Sequence, residues 1–135
     1  MKIAVLSVES TGTHFACHAV DQIVGAAPWN WNEWQDDRVK THVYAEGTPG
    51  VTDYASRLFY DADVVVVPMR HPLKALASNL DRGYNALTLQ DHSAAFEWVM
   101  EWHDDPKVFY LPIDTPDRQA WADNLSMMLR GEKVT

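Results

Sequence analysis

Four consecutive valines, Val64 to Val67, constrain the fold of this chain more than any other stretch of it. The run is too short to span a membrane, and its β-branched side chains favour a strand over a helix. Because apolar residues occupy successive positions, both faces of this strand are expected to be buried, as in the central strand of a parallel sheet. The run therefore predicts an α/β fold.

Predicted strands and helices alternate on either side of this run, which indicates parallel strands joined by helical crossovers. They are a strand over 2–8, a helix over 13–24, a strand over 39–45, a helix over 52–60, the valine strand, helices over 72–80 and 91–103, a strand over 108–113 and a terminal helix to Gly131. We expect an α/β three-layer sandwich with a central parallel sheet of about four to five strands. Its 135 residues predict one domain, residues 1–135.

Spacing of apolar residues predicts which face of each later helix is buried. In the helix over 72–80 the predicted apolar side consists of Leu73, Leu76, Ala77 and Leu80. In the helix over 91–103 it consists of Phe96, Val99 and Met100. The stretch Asp114-Thr115-Pro116 offers a cap and a first turn for the terminal helix.

Composition narrows the class of protein. The net charge of −8 argues against a protein that coats a nucleic acid polymer, so any anion site must be local. Cys17 is the single cysteine, which excludes an intramolecular disulfide, and its apolar neighbours predict a buried thiol in a reducing compartment. No signal peptide or membrane span is recognisable, so we expect a cytoplasmic protein without a membrane partner. The oligomeric state cannot be deduced from these observations.

A first candidate anion site combines Arg70, at the end of the valine strand, with Ser78 on the following helix. Pro72 suits the first turn of that helix, which would place the two side chains near each other at the carboxyl end of the sheet. An arginine and a hydroxyl suit the binding of a phosphate. Taken alone, Arg70 could equally pair with a surface carboxylate.

A second candidate segment, residues 7–14, joins the first strand to the first helix. Its hydroxyls and its glycine favour a turn whose backbone N–H groups converge on an anion at the helix N-terminus. The segment is not a Walker A sequence, because the GxxxxGK[ST] spacing is absent, and this argues against an ordinary ATP or GTP site. Alternatively, Ser10 or Thr11 is only a helix cap.

A third segment places Lys40 and His42 on the same side of a strand by period-two alternation. A histidine there could accept a proton while the lysine stabilises anionic oxygens. A Lys-x-His pair on a strand is also common on a solvated face. Glu9, at the mouth of the loop over 7–14, is a second candidate base.

In chain order, the three segments together resemble the sulfotransferases that use 3′-phosphoadenosine 5′-phosphosulfate (PAPS). The sequence Thr11-Gly12-Thr13-His14 occupies the places of Ser-Gly-Thr-Thr in the family's first loop, which follows a Pro-Lys/Arg pair. The sequence Lys40-Thr41-His42 matches the Lys-Thr-His of cytosolic members. Arg70 and Ser78 reproduce the family's arginine and serine with the same spacing of eight residues.

The resemblance implies a P-loop NTPase/sulfotransferase-like fold, PAPS as the sulfate donor and a small molecule with a hydroxyl or amine as the acceptor. It implies that His42 is the catalytic base, that Lys40 stabilises oxygens of the reacting group, and that residues 10–14 bind the 5′-phosphate. Arg70 and Ser78 would hold the 3′-phosphate. No metal is implied.

Two departures from the family pattern leave other functions open. Ser10 stands where the family's first loop has its lysine or arginine, and the chain has about half the usual family length. One alternative is a small P-loop-like phosphotransferase acting on a nucleoside or nucleotide with ATP and magnesium. Another is a nucleotide-binding module that has lost turnover.

Two further clusters allow a functional interpretation and a structural one. Trp29, Trp31 and Trp34 fall in a connection without regular periodicity, where they could grip an acceptor or simply pack against the core. His14 and His18 lie one helical turn apart with Cys17 between them, but a third metal ligand at a recognisable spacing is lacking.

Overall fold

Four parallel strands form one sheet in the order β2-β1-β3-β4. The computed structural model describes residues 1–45, 48, 54–81 and 89–130. The elements in chain order are β1 (Ile3–Ser7), α1 (Thr13–Val24), β2 (Arg38–His42), α2 (Ala55–Asp61), β3 (Val64–Met69), α3 (Pro72–Asp81), α4 (Leu89–Met100), a 3-10 turn (Glu101–Asp104), β4 (Val108–Pro112) and α5 (Arg118–Arg130).

The valine run lies at the centre of the molecule, as predicted. Val64 is 5% exposed and the next three valines are fully buried, and β3 pairs with β1 on one side and β4 on the other. Each of its faces meets a different helical layer, which is why apolar side chains are needed at successive positions. The predicted α/β three-layer sandwich with a parallel central sheet is confirmed.

Side chains of the strands alternate between two core clusters. Ile3, Val5, Val64 and Val66 pack against α1 and α5. Ala4, Leu6, Val65 and Val67 pack against α2, α3 and α4 on the opposite face. Helix α1 presents Ala16, Cys17, Val20 and Ile23 to the first cluster, so the thiol is buried as predicted. The exact bounds of α1 were predictable because its apolar spacing follows the helical period without interruption.

The predicted inner face of α3 is wrong. Leu73 and Leu80 are 67% and 63% exposed, whereas the buried residues of this helix are Ala75 and Asn79. The reason is that part of α3 covers a polar loop, so its inner face carries an amide that bonds to that loop. Apolar spacing identifies an inner face only where the opposing surface is itself apolar.

The predicted buried face of α4 needs a smaller correction. Phe96 and Val99 are buried, but Met100 is 47% exposed. His92 and Ala95 complete the buried stripe, so the inner positions recur at intervals of three or four residues. Met100 lies about 100° round the helix from Val99 and falls outside that stripe.

The boundaries of several other elements also differ from the prediction. Strand β2 spans 38–42 instead of 39–45. Helix α5 begins at Arg118, where Asp117 caps it by accepting a hydrogen bond from the N–H of Ala120 at 3.2 Å. The cap is therefore not in the stretch 114–116, although the Thr115 hydroxyl accepts a bond from the Asp117 N–H at 3.3 Å. The predicted start of α2 at residue 52 and the predicted end of α5 at residue 131 lie outside the described residues.

Part of the tryptophan-rich connection lies along the outer side of β2. The N–H of Lys40 donates to the Asn30 carbonyl at 3.0 Å, and the Lys40 carbonyl accepts from the N–H of Asn32 at 2.9 Å. Arg38 and Gln35 exchange both of their backbone hydrogen bonds, at 3.1 and 2.9 Å. This connection therefore closes the edge of the sheet over residues 38–40.

The longest helix among the described residues, α5, has 13 residues. No helix in this part of the chain has the length and apolar character needed to cross a bilayer, which takes about 20 apolar residues.

Candidate functional site

A crevice opens at the carboxyl ends of β1 and β3. The chain leaves β1 towards β2 on one side of the sheet order and leaves β3 towards β4 on the other, which makes this the topological switch point where α/β proteins bind ligands. A cavity of about 550 Å³ lies there. The cavity is lined by Glu9, Ser10, Gly12, Thr13, His14, Phe15, Trp31, His42, Arg70, Asn79, Ile113 and Asp114.

The floor of the cavity is the loop between β1 and α1. The Val8 carbonyl accepts hydrogen bonds from both the N–H and the hydroxyl of Thr11, at 3.2 and 2.6 Å, which closes a tight turn. Ser10 has a φ of 63° and Gly12 a φ of 104°, both in the left-handed region. The hydroxyls of Ser7 and Thr13 are bonded at 2.6 Å beneath the loop. The loop is therefore shaped by its own hydrogen bonds.

Gly12 is required at the N-cap of α1 for two independent reasons. Its φ of 104° is one that residues with a side chain rarely adopt. A Cβ at this position would also lie 2.9 Å from Cδ1 of Ile113, the residue after β4. Because α1 begins here, the N–H groups of its first turn lack intrahelical acceptors and its positive dipole end faces the crevice.

Arg70 and Asn79 fix the loop from the side of β3 and α3. Arg70 Nη1 donates to the Ser10 carbonyl at 3.2 Å, and its Nε is buried without an acceptor among the described residues. Asn79 is 1% exposed; its Oδ1 accepts from the Ser10 hydroxyl, and its Nδ2 donates to Glu9 Oε2 at 3.4 Å. These bonds hold Ser10 in its strained backbone conformation.

Glu9 is the centre of a polar cluster, and its side chain is 14% exposed. Its Oε1 accepts a 2.6 Å hydrogen bond from the Tyr44 hydroxyl and lies 3.9 Å from His42 Nδ1. Its backbone carbonyl accepts a 3.3 Å bond from His92 Nε2. Since β2, α4 and, through Asn79, α3 all contribute, the cluster ties three elements to the loop.

The environment shifts the pKa of two side chains in this cluster. Burial lowers the pKa of His42 below its ordinary value of 6.5; the carboxylate of Glu9 opposes this shift, and His14 adds to it. Burial, reinforced by the hydrogen bond to Glu9, raises the pKa of Tyr44. At neutral pH the cluster therefore holds a neutral imidazole, on His42, that is able to accept a proton, and a phenol, on Tyr44, that remains protonated.

Trp31 forms part of the cavity wall beside this imidazole. Its ring centroid is 4.9 Å from that of His42 and 6.2 Å from that of His14, and both pairs are edge-to-face. Lys40 Nζ lies 4.8 Å from the indole centroid, in a cation–π contact. Lys40 and His42, which were predicted to lie on the same side of the strand, thus both contact the indole of Trp31. Of the two, His42 lines the cavity and Lys40 does not.

The structure brings most of the residues predicted for the site into this cavity, but not all of them. Those that line it are Ser10, Gly12, Thr13, His14, His42 and Arg70. Thr11 is fully buried in the turn, and the Thr13 hydroxyl is engaged by Ser7. Ser78 is half-buried on α3 outside the cavity lining, and the next residue, Asn79, makes the contacts with the loop.

Sequence reasoning missed Asn79 and Tyr44. Tyr44 follows His42 by two residues, so the alternation that paired Lys40 with His42 could also have pointed to it. Asn79 gave no such signal, because its partners lie 69 and 70 positions away in the chain. Among the described residues, no group of three or more His, Cys, Asp or Glu side chains is placed to hold a metal ion.

No protein-family model matches this chain, and no curated protein matches its sequence. A gluconokinase from Sinorhizobium meliloti 1021 has a similar structure, with a TM-score of 0.54 and 12% sequence identity. The alignment covers 95% of this chain and 94% of that one. This likeness defines the class of fold: the chain has a P-loop-like α/β fold with a parallel central sheet. At 12% identity it concerns the fold alone.

Proposed function

We propose that the protein is a nucleotide-dependent transferase that moves a sulfuryl group from PAPS to a hydroxyl or amine of a small-molecule acceptor. One observation carries the proposal: a neutral imidazole, that of His42, shares a 550 Å³ cavity with the N-terminus of α1 and the guanidinium of Arg70. The base and the anion-binding groups of a group-transfer site are thus adjacent.

Charge and hydrogen-bonding capacity support an anionic donor on the loop. The first N–H groups of α1 are donors without intrahelical acceptors, and such groups bind phosphate. Arg70 keeps an unpaired Nε, among the described residues, beside the loop that it already contacts through Nη1. In the proposal, α1 holds the 5′-phosphate, and Arg70 with Ser78 holds the 3′-phosphate after a side-chain adjustment at Ser78.

The proposed reaction is an in-line displacement at sulfur. The acceptor oxygen or nitrogen forms a bond to sulfur while the bond from sulfur to the 5′-phosphate oxygen breaks, and the bonding pair leaves with that oxygen. His42 takes the acceptor proton on Nε2, since its Nδ1 faces Glu9 at 3.9 Å. The products are the sulfated acceptor, 3′-phosphoadenosine 5′-phosphate and a protonated imidazole, which the carboxylate of Glu9 stabilises.

The side chain of Ser10 brings no positive charge to the leaving oxygen, so the charge must come from elsewhere in the site. Arg70 is the one arginine among the described residues that line the cavity, and the proposal already places it on the 3′-phosphate. Lys40 Nζ lies 4.8 Å from the centre of the Trp31 indole and would have to leave that ring to act. We therefore assign the stabilisation of the leaving oxygen to Lys40 together with the first N–H groups of α1.

The second candidate is a small ATP-dependent phosphotransferase, which the likeness to a gluconokinase structure favours. It would use the same base and the same helix N-terminus. It differs in requiring Mg²⁺, which P-loop enzymes hold with a Ser or Thr hydroxyl at the start of this helix. Here that hydroxyl, on Thr13, is bonded to Ser7, and this favours the sulfuryl donor.

Calorimetry with 3′-phosphoadenosine 5′-phosphate, ADP and ATP, with and without Mg²⁺, tests the donor. We expect the 3′-phosphorylated nucleotide to bind tightest and without magnesium. Arg70→Gln should weaken its binding by about tenfold or more while changing ADP binding less, because the charged hydrogen bond that the proposal gives Arg70 to the 3′-phosphate is lost. Selective, magnesium-dependent ATP binding would overturn the proposal in favour of the phosphotransferase.

Transfer from sulfur-labelled PAPS to a panel of alcohols and amines tests the chemistry. His42→Ala should lower the rate by about 10²-fold or more. His18→Ala is the matched control, since His18 is an exposed histidine of α1 outside the cavity lining. Full activity in His42→Ala would refute the assignment of the base. Tight nucleotide binding without turnover would indicate the binding module instead.

A further inference from the structure

We propose that the outer face of α3 binds the same face of a second copy of this chain, so that two α3 helices pair antiparallel in a weak two-fold dimer. The inference is independent of the proposed function, because the residues that carry it do not line the cavity. It adds an interaction surface and identifies its partner as another molecule of the same protein.

An apolar stripe lies on the solvent side of α3. Leu73 and Leu80 are 67% and 63% exposed and lie about two turns apart on one side of the helix. Ala77 is also exposed and lies between them. Among the described residues, neither core cluster includes a leucine of α3. Single exposed leucines are ordinary on a protein surface, but an apolar row along one helix face is typical of an interaction site.

The charges of α3 make this face complementary to itself. Lys74 and Asp81 are exposed and seven positions apart, so they lie on the same flank of the stripe. Their separation along the helix axis is about 10 Å, with Ala77 near the midpoint. In an antiparallel pair with its two-fold axis near Ala77, Lys74 of each copy lies next to Asp81 of the other. Two equivalent ion pairs would therefore flank one apolar seam.

The intramolecular contact of Lys74 is compatible with this pairing. Its Nζ lies 3.9 Å from Asp114 Oδ2, and the two side chains are 62% and 37% exposed. An exposed ion pair of this length contributes little stability, so the lysine can exchange one carboxylate for another. The small side chain of Ala77 at the centre allows the two helix axes to approach closely, which brings the leucines of the two stripes into contact.

The seam is small, so the association should be weak. A helix of ten residues is about 15 Å long and about 10 Å wide, and it covers much less than the roughly 800 Å² that each partner buries in a standard interface. The net charge of −8 on each copy also opposes association. We therefore expect a dissociation constant on the order of 100 µM.

Sedimentation equilibrium of the whole chain over about 5–500 µM tests the apolar seam. Leu73→Gln and Leu80→Gln replace exposed side chains, so both variants should fold, which circular dichroism checks. Met127→Gln is the matched control, because Met127 is 48% exposed on α5, on the opposite face of the sheet. Each leucine variant should weaken association by about tenfold or more, since the substitution occurs twice in the dimer, and the control should associate like the unmodified protein.

Charge reversal tests the two-fold geometry. Lys74→Glu and Asp81→Lys should each weaken self-association by about tenfold, because each places like charges opposite one another. The variant with both substitutions has the original net charge and should recover the association, since its charges are again complementary. An equimolar mixture of the two single variants should also associate, because each supplies the charge that the other needs.

Three results would overturn the inference. A chain that remains monomeric up to about 500 µM would leave the stripe to a different partner. A dimer that forms equally well after Leu73→Gln and Leu80→Gln would have its interface elsewhere. Loss of the dimer in the leucine variants, with no recovery in the doubly reversed variant, would refute the antiparallel two-fold pairing.

Discussion

Replacing Gly12 by alanine tests whether the loop needs glycine both for its positive φ and for the close approach of Ile113. The substitution has two separate costs. A side chain at a φ of 104° costs about 1–2 kcal/mol, because the left-handed region is disfavoured for residues other than glycine. The new Cβ also meets Ile113 at 2.9 Å from Cδ1 and 3.2 Å from Cγ2, and overpacking of this kind costs about 1–3 kcal/mol. We expect Gly12→Ala to lower the free energy of unfolding by about 2–5 kcal/mol.

A second substitution separates the two costs. Ile113→Val removes Cδ1, the nearest atom, and keeps Cγ2. The double variant should therefore be less destabilised than the sum of the single variants by about 1 kcal/mol, a coupling typical of residues in contact. Gly25→Ala is the control, because Gly25 also has a positive φ, 99°, but nothing lies within 4 Å of the added Cβ. Its cost should be of backbone origin only and show no coupling to Ile113→Val.

Urea unfolding followed by tryptophan fluorescence measures the unmodified protein, the three single variants and the two double variants with Ile113→Val on one scale. A Gly12→Ala variant destabilised by less than about 0.5 kcal/mol would refute the backbone and the packing argument together. A large effect with no coupling to Ile113 would refute the packing argument alone.

Three more predictions concern titration and hydrogen bonding. His42 should titrate below 6.5 by NMR, and lower still in Glu9→Gln, which removes the carboxylate that raises the pKa of His42. The imidazole binds a proton more readily in the unfolded chain than in the folded one, so the free energy of unfolding should fall as the pH drops below 6.5. His42→Gln should reduce that fall. Tyr44→Phe should cost about 1–3 kcal/mol in urea unfolding, since Glu9 loses a 2.6 Å donor, and an unchanged midpoint would contradict this role. Burial raises the pKa of Cys17 to about 12, so iodoacetamide at neutral pH should alkylate the urea-unfolded chain and spare the folded one.

The layered fold could be predicted because it depends on local patterns. Four valines with both neighbouring segments helical leave little choice other than a buried parallel strand, and the apolar spacing of α1 gave both of its ends. The start of α5 was harder because Asp114, Thr115 and Asp117 are all capable caps within four residues. Which of them caps the helix depends on where β4 ends and on the path of the chain from there to α5.

The candidate site was predictable only where its residues follow strands. His42 and Arg70 each lie at or just after a strand end, so parallel topology alone brings them to one edge. The contribution of α3 depends instead on its rotation, and apolar spacing gave the wrong rotation. Leu73 and Leu80 suggested one face, but the helix turns Asn79 inward because the loop it covers needs a hydrogen-bonding partner.

The tryptophan-rich connection also affects how the protein meets other copies of itself. An uncovered edge strand offers unpaired backbone groups to any passing strand, and this is a common route to aggregation. Over residues 38–40 of β2, Gln35, Asn30 and Asn32 already occupy the outward backbone groups of Arg38 and Lys40. Shortening the connection would therefore expose the outward backbone N–H and C=O groups of β2. The resulting protein would be more prone to strand pairing between molecules even with its core intact.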